Sequence, residues 1–317
     1  MRPPNNFRVL YVGGTGRSGS TMLANVLGEA PGLVSAGEVR FLWERGIVQN
    51  RLCGCGAAFA DCAFWAEVLD LALGPGTDDA RRTLAVRVHR QLEARTRMLT
   101  LPRHLLAGRH RASGPDALTD IVGSVYAAIA AVSRAEVVVD SSKLPTYAAL
   151  LAGSDRIDLQ VAHLVRDPRA AAYSWRRRKI QPDLGATALM ERRGAGKSAV
   201  LWSVWNRSLE SMCRSRGVTY TRMGYEDFVA DPRRQVQTLL ASFDLPPTLV
   251  EGIFADDHTV SLTTSHTVAG NPSRHQHGLV PLVADDEWRS GMRGHDRRAV
   301  TALTWPTMQR YGYRIRT

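Results

Sequence analysis

Lysine is nearly absent from this sequence. Of 41 basic residues only Lys143, Lys179 and Lys197 are lysines, and the other 38 are arginines. With abundant Ala and Gly, this matches the codon bias of a GC-rich genome, so part of the net charge of +11 and the pI of about 10.1 is compositional. Clustering is harder to assign to bias. Arg176-Arg177-Arg178-Lys179 is such a cluster, and clustered positive charge points to an anionic partner. Long apolar runs are also missing. None approaches the roughly 20 residues needed to cross a bilayer, which excludes a membrane-spanning role. The chain starts short and polar, without the basic, apolar and small-residue segments of a signal peptide. A cytoplasmic protein with no membrane partner is expected.

Cysteine is scarce too, at four residues. Cys53, Cys55 and Cys62 are close in sequence, and Cys213 stands alone. Zinc wants four ligands. No nearby histidine or fourth cysteine completes the set, and His275 and His277 read as surface residues. A reducing compartment disfavours a disulfide. The expectation is a tight structural turn with packed thiols and no metal, with a metal site as the alternative.

What is present is enough for a substantial core: 317 residues, 44% hydrophobic. Phe7 to Val12 reads as a buried strand, Gly13 to Gly19 as a glycine-rich loop, Thr21 to Ala30 as a helix stopped by Pro31-Gly32, and Leu33 to Ala36 as a second strand. From about 45 to 134 the pattern turns helical, with candidate helices over Ala80 to Leu101 and Ala117 to Ser133. Strands resume at Glu136 to Asp140, Leu159 to Val165 and Gly217 to Arg222, the last clear one. Strands alternating with helices predict an α/β fold, a P-loop-type parallel sheet covered by helices. The whole chain reads as one domain, 1–317, with a helical insertion at about 45–134 over the active site. In such sheets ligands lie beyond the carboxyl ends of the strands.

The strongest local signal is Gly14-Thr15-Gly16-Arg17-Ser18-Gly19-Ser20-Thr21, after a strand and opening a helix. Glycines let backbone N–H groups turn inward on an anion, and the helix N-terminus adds its dipole. The spacing matches the Walker A pattern except that Ser20 stands where a nucleoside triphosphatase needs lysine. Gly194-Ala195-Gly196-Lys197-Ser198 is a decoy, because Glu191 replaces the first glycine and no strand precedes it.

Gly16-Arg17-Ser18-Gly19-Ser20-Thr21-Met22-Leu23 resembles the 5′-phosphosulfate loop of sulfotransferases that use 3′-phosphoadenosine 5′-phosphosulfate (PAPS), which carry Arg-Ser-Gly-Thr/Ser-Thr-x-Leu after the first strand. Val165-Arg166-Asp167-Pro168-Arg169 with Ser174 is similar to the family's 3′-phosphate motif. The chemistry fits, since arginine offers a planar fork to phosphate and serine a further donor. The resemblance implies Arg166 and Ser174 as 3′-phosphate ligands, with Arg178 a third.

The likeness extends to tyrosylprotein sulfotransferases and their bacterial relatives. Gly37-Glu38-Val39-Arg40 stands where that group carries a Glu-Thr-Arg element with its catalytic base. Glu38 could instead be a charge stabilised at a helix N-terminus. Asp140-Ser141-Ser142-Lys143-Leu144-Pro145 is similar to an Asn-Lys-Asp-Pro element whose lysine stabilises the transferring group. Here Ser142 and Leu144 replace Asn and Asp. Weaker echoes are Trp205-Asn206, Tyr225 placed against adenine, and Arg274 in a late loop closing over the 3′-phosphate.

The implied reaction is in-line displacement at sulfur. Glu38 acts as base, and Lys143 and Arg17 meet developing charge. PAPS is the donor and PAP the product, no metal is required, and the acceptor is a small-molecule hydroxyl such as a phenol or sugar of secondary metabolism. One rival is a P-loop kinase-like phosphotransferase, which needs the missing lysine. The other is a basic nucleic-acid-binding protein, for which Tyr173 to Lys179 is the only aromatic-basic stretch. The insertion and Ile180 to Lys197 are expected to shape the acceptor pocket.

Overall fold

The computed structural model describes residues 7–100, 102, 116–184 and 187–315. At its centre is strand β1 (Phe7–Gly14), hydrogen-bonded on both sides. Its neighbours are β3 (Val137–Lys143) and β4 (Ile157–Val165), with β2 (Leu33–Gly37) and β5 (Thr219–Gly224) at the edges. The order is β2-β3-β1-β4-β5, and every pairing is parallel.

The near-continuous apolar run of β1 follows from burial on two faces. Val9 and Tyr11 join one core cluster, and Leu10 and Val12 the other, as the period-2 alternation of a strand requires. On the Val9 side lie α2 (Ala63–Leu73), α3 (Asp78–Thr96), α4 (Ala117–Ser133), α5 (Pro145–Leu151) and the apolar stripe Leu209, Met212, Cys213 of a later helix. On the Leu10 side lies α1 (Ser20–Gly28).

Beyond β4 come α6 (Pro168–Arg176) and α7 (Ala195–Arg216). After β5 follow α8 (Tyr225–Ala230), α9 (Pro232–Ala241), α10 (Trp288–Gly291) and α11 (Gly294–Arg310). Local chemistry starts several of these helices. Asp116 accepts from the Leu118 N–H at α4, Thr77 from Ala80 at α3, and Asp167 from Arg169 at α6, where Pro168 occupies the first turn.

The expected strands and the Ala117 to Ser133 helix are present, with ends shifted by a few residues. The Ala80 to Leu101 helix runs over Asp78–Thr96 and continues as a 3₁₀ turn, Met98–Thr100. Leu101 and Met1 to Asn6 lie outside the described residues. Three elements lacked a sequence signal. A π-helical segment, Leu42–Val48, follows β2. Helix α2 starts directly after Cys62 without a side-chain cap. A two-stranded hairpin, β6 (Thr259–Leu262) with β7 (Gly278–Pro281), is too short to alternate visibly and carries Gly and Pro in its second strand. So Gly217 to Arg222 is not the last strand.

The insertion is a packing layer against the sheet. Among its described residues Arg45 alone lines the cleft described below. Among the described residues no helix is long and apolar enough to cross a membrane.

Candidate active site

A cleft of about 400 Å³ opens at the carboxyl ends of the strands. The loop after β1 forms one wall. Gly16, Arg17, Gly19, Ser20 and Thr21 line it, and the first turn of α1 has no side-chain cap, so its N–H groups remain available to a ligand. Gly19 is required twice over. Its φ is +91°, and a Cβ there would stand 2.6 Å from the Tyr225 ring. Ser18 is buried behind the loop, with its hydroxyl unpartnered.

Glu38 and Lys143 meet across the ends of β2 and β3. The Lys143 Nζ donates to Glu38 Oε1 at 2.8 Å and to the Ser141 carbonyl at 2.8 Å, and both side chains are nearly buried. A bulge brings them together: β3 spans Asp140 to Lys143 while β1 spans Tyr11 to Gly13, one extra residue that re-aims the strand end. Lys143 holds φ +68°, in the sparsely populated left-handed region.

Behind them the Asp140 carboxylate accepts from the backbone N–H groups of Val39 and Ser142, the Ser142 hydroxyl and the Tyr126 hydroxyl. Burial pushes Asp140 up to about 6, against the pull of those hydrogen bonds. Burial also pushes Glu38 up, but the Lys143 ammonium, with Arg45 and Arg40 behind it, outweighs this and holds the carboxyl below its ordinary value.

The cleft is electropositive. Seven basic side chains line it against three acidic ones. Arg17 lies 4.8 Å over the Trp175 ring and donates to the Met190 sulfur. Burial, then Arg177 and Arg193, lower its pKa. Lys179 is lowered by burial, then by Arg177 and Arg17. Neither forms an ion pair with a carboxylate among the described residues. Crowded, partly desolvated cations of this kind favour an anionic ligand.

Arg166, almost fully buried, donates to the Arg17 carbonyl at 3.2 Å and stacks on Tyr225 at 4.3 Å. It also pairs with Asp285, at 3.2 Å to the carboxylate and 2.7 Å to the carbonyl. Ser174 and Tyr225 line the same wall.

No protein-family model matches the chain, and no curated protein matches it. Solved structures do. The sulfotransferase domain of the Synechococcus PCC 7002 olefin synthase superposes with a TM-score of 0.52 at 18% identity, covering 97% of this chain and 96% of that one. The sulfotransferase domain from the curacin biosynthetic pathway gives 0.52 at 15% identity, over 98% and 99%.

The chain has a sulfotransferase fold. That fold carries ten expected residues to one cleft: Gly16, Arg17, Gly19, Ser20, Thr21, Glu38, Lys143, Arg166, Ser174 and Tyr225. The segment Ile180 to Lys197 contributes Gln181, Met190, Glu191 and Arg193, while 185 and 186 lie outside the described residues.

Three expectations are corrected. Arg178 is exposed and outside the cleft lining, because α6 ends at Arg176 and the extended backbone after it turns the neighbouring Lys179 inward instead. Arg274 does not line the cleft. Its guanidinium is buried and committed to the Thr267 carbonyl at 2.5 Å, the Leu52 carbonyl at 2.6 Å and the Asp183 carboxylate at 3.0 Å, while Asn271 and Ser273 line the cleft. The cysteine set is not left incomplete: His266, remote in sequence, lies among Cys53, Cys55 and Cys62.

Sequence reasoning missed Lys179 and Asp140. Lys179 carried a usable signal, being one of three lysines in an arginine-biased chain. Asp140 had no signal of its own, since its role depends on Tyr126 and Val39 reaching it from other elements.

Proposed function

We propose that this protein is a sulfotransferase that moves a sulfuryl group from PAPS to the hydroxyl of a small-molecule acceptor. The observation that carries the reading is the Glu38–Lys143 pair, held 2.8 Å apart beside a glycine loop that lacks the Walker lysine. A carboxylate kept ionised is suited to take a proton, and an ammonium beside it to meet charge on a leaving oxygen.

In the proposed step the acceptor oxygen attacks sulfur in line. A new O–S bond forms as the bond from sulfur to the 5′-phosphate oxygen breaks, and the electron pair stays on that phosphate. The acceptor proton passes to Glu38. Once Glu38 is neutral its attraction for Lys143 falls, which frees the ammonium for the leaving oxygen. Arg17 and the loop N–H groups meet the sulfuryl and 5′-phosphate oxygens. Arg166 and Ser174 take the 3′-phosphate, and Tyr225 lies by the adenine.

The test is a comparison of nucleotides followed by turnover. PAP is expected to raise the melting temperature while ATP with magnesium does not. Incubation with PAPS and a panel of phenols and sugars should then yield products heavier by one SO₃. Stabilisation by ATP–magnesium in place of PAP, with phosphate transfer, would refute the reading.

A further inference from the structure

We propose that Cys53, Cys55, Cys62 and His266 bind one structural zinc ion. Their ligand atoms all lie within 4.8 Å of one another. Cys62 Sγ is 3.6 Å from Cys53 Sγ and 3.8 Å from Cys55 Sγ, and His266 Nδ1 is 3.3 Å from Cys62 Sγ and 3.9 Å from Cys53 Sγ. A tetrahedral ion with Zn–S bonds of about 2.3 Å and a Zn–N bond of about 2.0 Å has edges of about 3.8 Å between sulfurs and about 3.5 Å from sulfur to nitrogen. Three of these separations lie within about 0.2 Å of those edges and the Cys53–His266 one is about 0.4 Å longer, with all six inside 4.8 Å.

Neither a disulfide nor simple thiol packing accounts for the cluster as well. A disulfide needs sulfurs about 2.05 Å apart and would leave a third thiol over, and all four cysteines of the chain are free. A thiol–imidazole hydrogen bond would account for one contact of His266 with Cys62, but not for three sulfurs and a ring nitrogen converging within 4.8 Å. Three soft sulfurs with one imidazole select zinc over the hard cations that prefer oxygen.

The chain builds the site from two distant segments. The first is a tight knuckle. Leu52 and Ala58 form an antiparallel bridge, the Cys53 N–H donates to Ala57 at 2.8 Å, and Gly56 at φ +87° donates back to the Cys53 carbonyl at 2.9 Å. This turn presents Cys53 and Cys55, and Cys62 follows where α2 begins. The second segment is the strap after β6. The His266 ring stacks on Phe64 with centroids 4.9 Å apart and planes 10° apart. The Gly54 N–H donates to the Thr267 carbonyl at 2.9 Å, and a Cβ on Gly54 would stand 2.4 Å from the Thr267 hydroxyl, so only glycine lets the segments approach this closely.

None of the four residues lines the cleft. Four protein ligands also leave no open position for water or substrate, the arrangement of a structural site. Its effect on the cleft is indirect. The strap continues to Ala269, whose carbonyl accepts from the Glu38 N–H at 3.1 Å, and to Asn271, whose N–H donates to the Thr21 hydroxyl at 3.3 Å. A metal pinning the strap to the knuckle would therefore position the ends of β2 and of the glycine loop. This inference is independent of the proposed reaction.

The test uses the full chain, free of affinity tags, purified under reducing conditions without chelator. Elemental analysis is expected to find one zinc per chain. Cobalt(II) exchanged into the site should give thiolate-to-cobalt charge-transfer absorption with tetrahedral d–d bands. Cys55→Ser, at the least buried of the three cysteines, and His266→Ala should each lose the metal while the circular dichroism of the fold is kept. Native-state thiol titration of the unmodified protein, which needs no variant to fold, should show three thiols protected from modification until a chelator is added. A reduced, folded chain without zinc, unmoved in melting temperature by zinc or chelator and without cobalt–thiolate bands, would overturn the proposal. So would full zinc occupancy in both variants.

Discussion

Burial alone would make Glu38 a weaker acid than a free glutamate; the Lys143 ammonium 2.8 Å away reverses the sign. Glu38→Gln should lower kcat by roughly 10²- to 10⁴-fold, the usual range for a positioned general base, with PAP affinity in calorimetry unchanged. Lys143→Ala removes the chief group holding Glu38 acidic, so the acid limb of its residual pH–rate profile should move to higher pH.

Stability follows the same residue. The carboxyl is more acidic folded than unfolded, so the unfolded chain binds the extra proton. The Glu38 contribution is present above the unfolded value of about 4.3 and is lost as pH falls through the lower folded value. Melting temperatures of the parent and Glu38→Gln should differ at neutral pH and converge in acid. For Arg166→Ala, loss of charged hydrogen bonds at about 1.5–3 kcal/mol should weaken PAP binding roughly 10- to 100-fold. Asp285 competes for the same guanidinium, so Asp285→Asn should tighten binding. Calorimetric titration reads both.

At the scale of elements, the decisive contact joins three of them. Asp140 on β3 receives Tyr126 from α4 and the turn after β2 through Val39. Asp140→Ala would leave the Val39 and Ser142 N–H groups without their buried acceptor, at about 1–3 kcal/mol for each unsatisfied group, while the Tyr126 hydroxyl keeps its contact with Tyr147. Urea unfolding should show that loss. Because the same carboxylate organises the turns bearing both Glu38 and Lys143, kcat should fall as well, with PAP affinity retained. Helix α4 was legible from its apolar spacing, whereas the bond from its Tyr126 to Asp140 was not, since pairing across the fold leaves no periodic trace. The β6–β7 hairpin was hidden for another reason, its strands being four residues long.

Across the whole molecule the positive charge is divided. Arg176 pairs with Asp296 and Arg177 with Asp285 and Glu287, while Arg178 faces solvent and Lys179 enters the cleft. What read as one basic run is divided between ion pairs, solvent and the cleft. The concentrated excess lies in the cleft, seven basic side chains to three acidic. PAP affinity should therefore fall steadily as salt rises, the screening length shrinking from about 10 Å at 0.1 M to about 3 Å at 1 M. Titrations at several ionic strengths would show it, and a flat response would count against electrostatic capture.

By itself the sequence determined the α/β alternation, the glycine loop opening α1 and the strand ends that carry Glu38, Lys143 and Arg166. These are local properties, set by hydrophobic period, turn chemistry and residue type within a short stretch. Tertiary structure alone decided what those residues face. It turned Arg274 inward and Lys179 toward the cleft, seated Asp140 behind the Glu38–Lys143 pair, and carried His266 to cysteines more than 200 positions away in the chain. Those outcomes depend on distances between segments that only the assembled sheet and its two helical layers bring together.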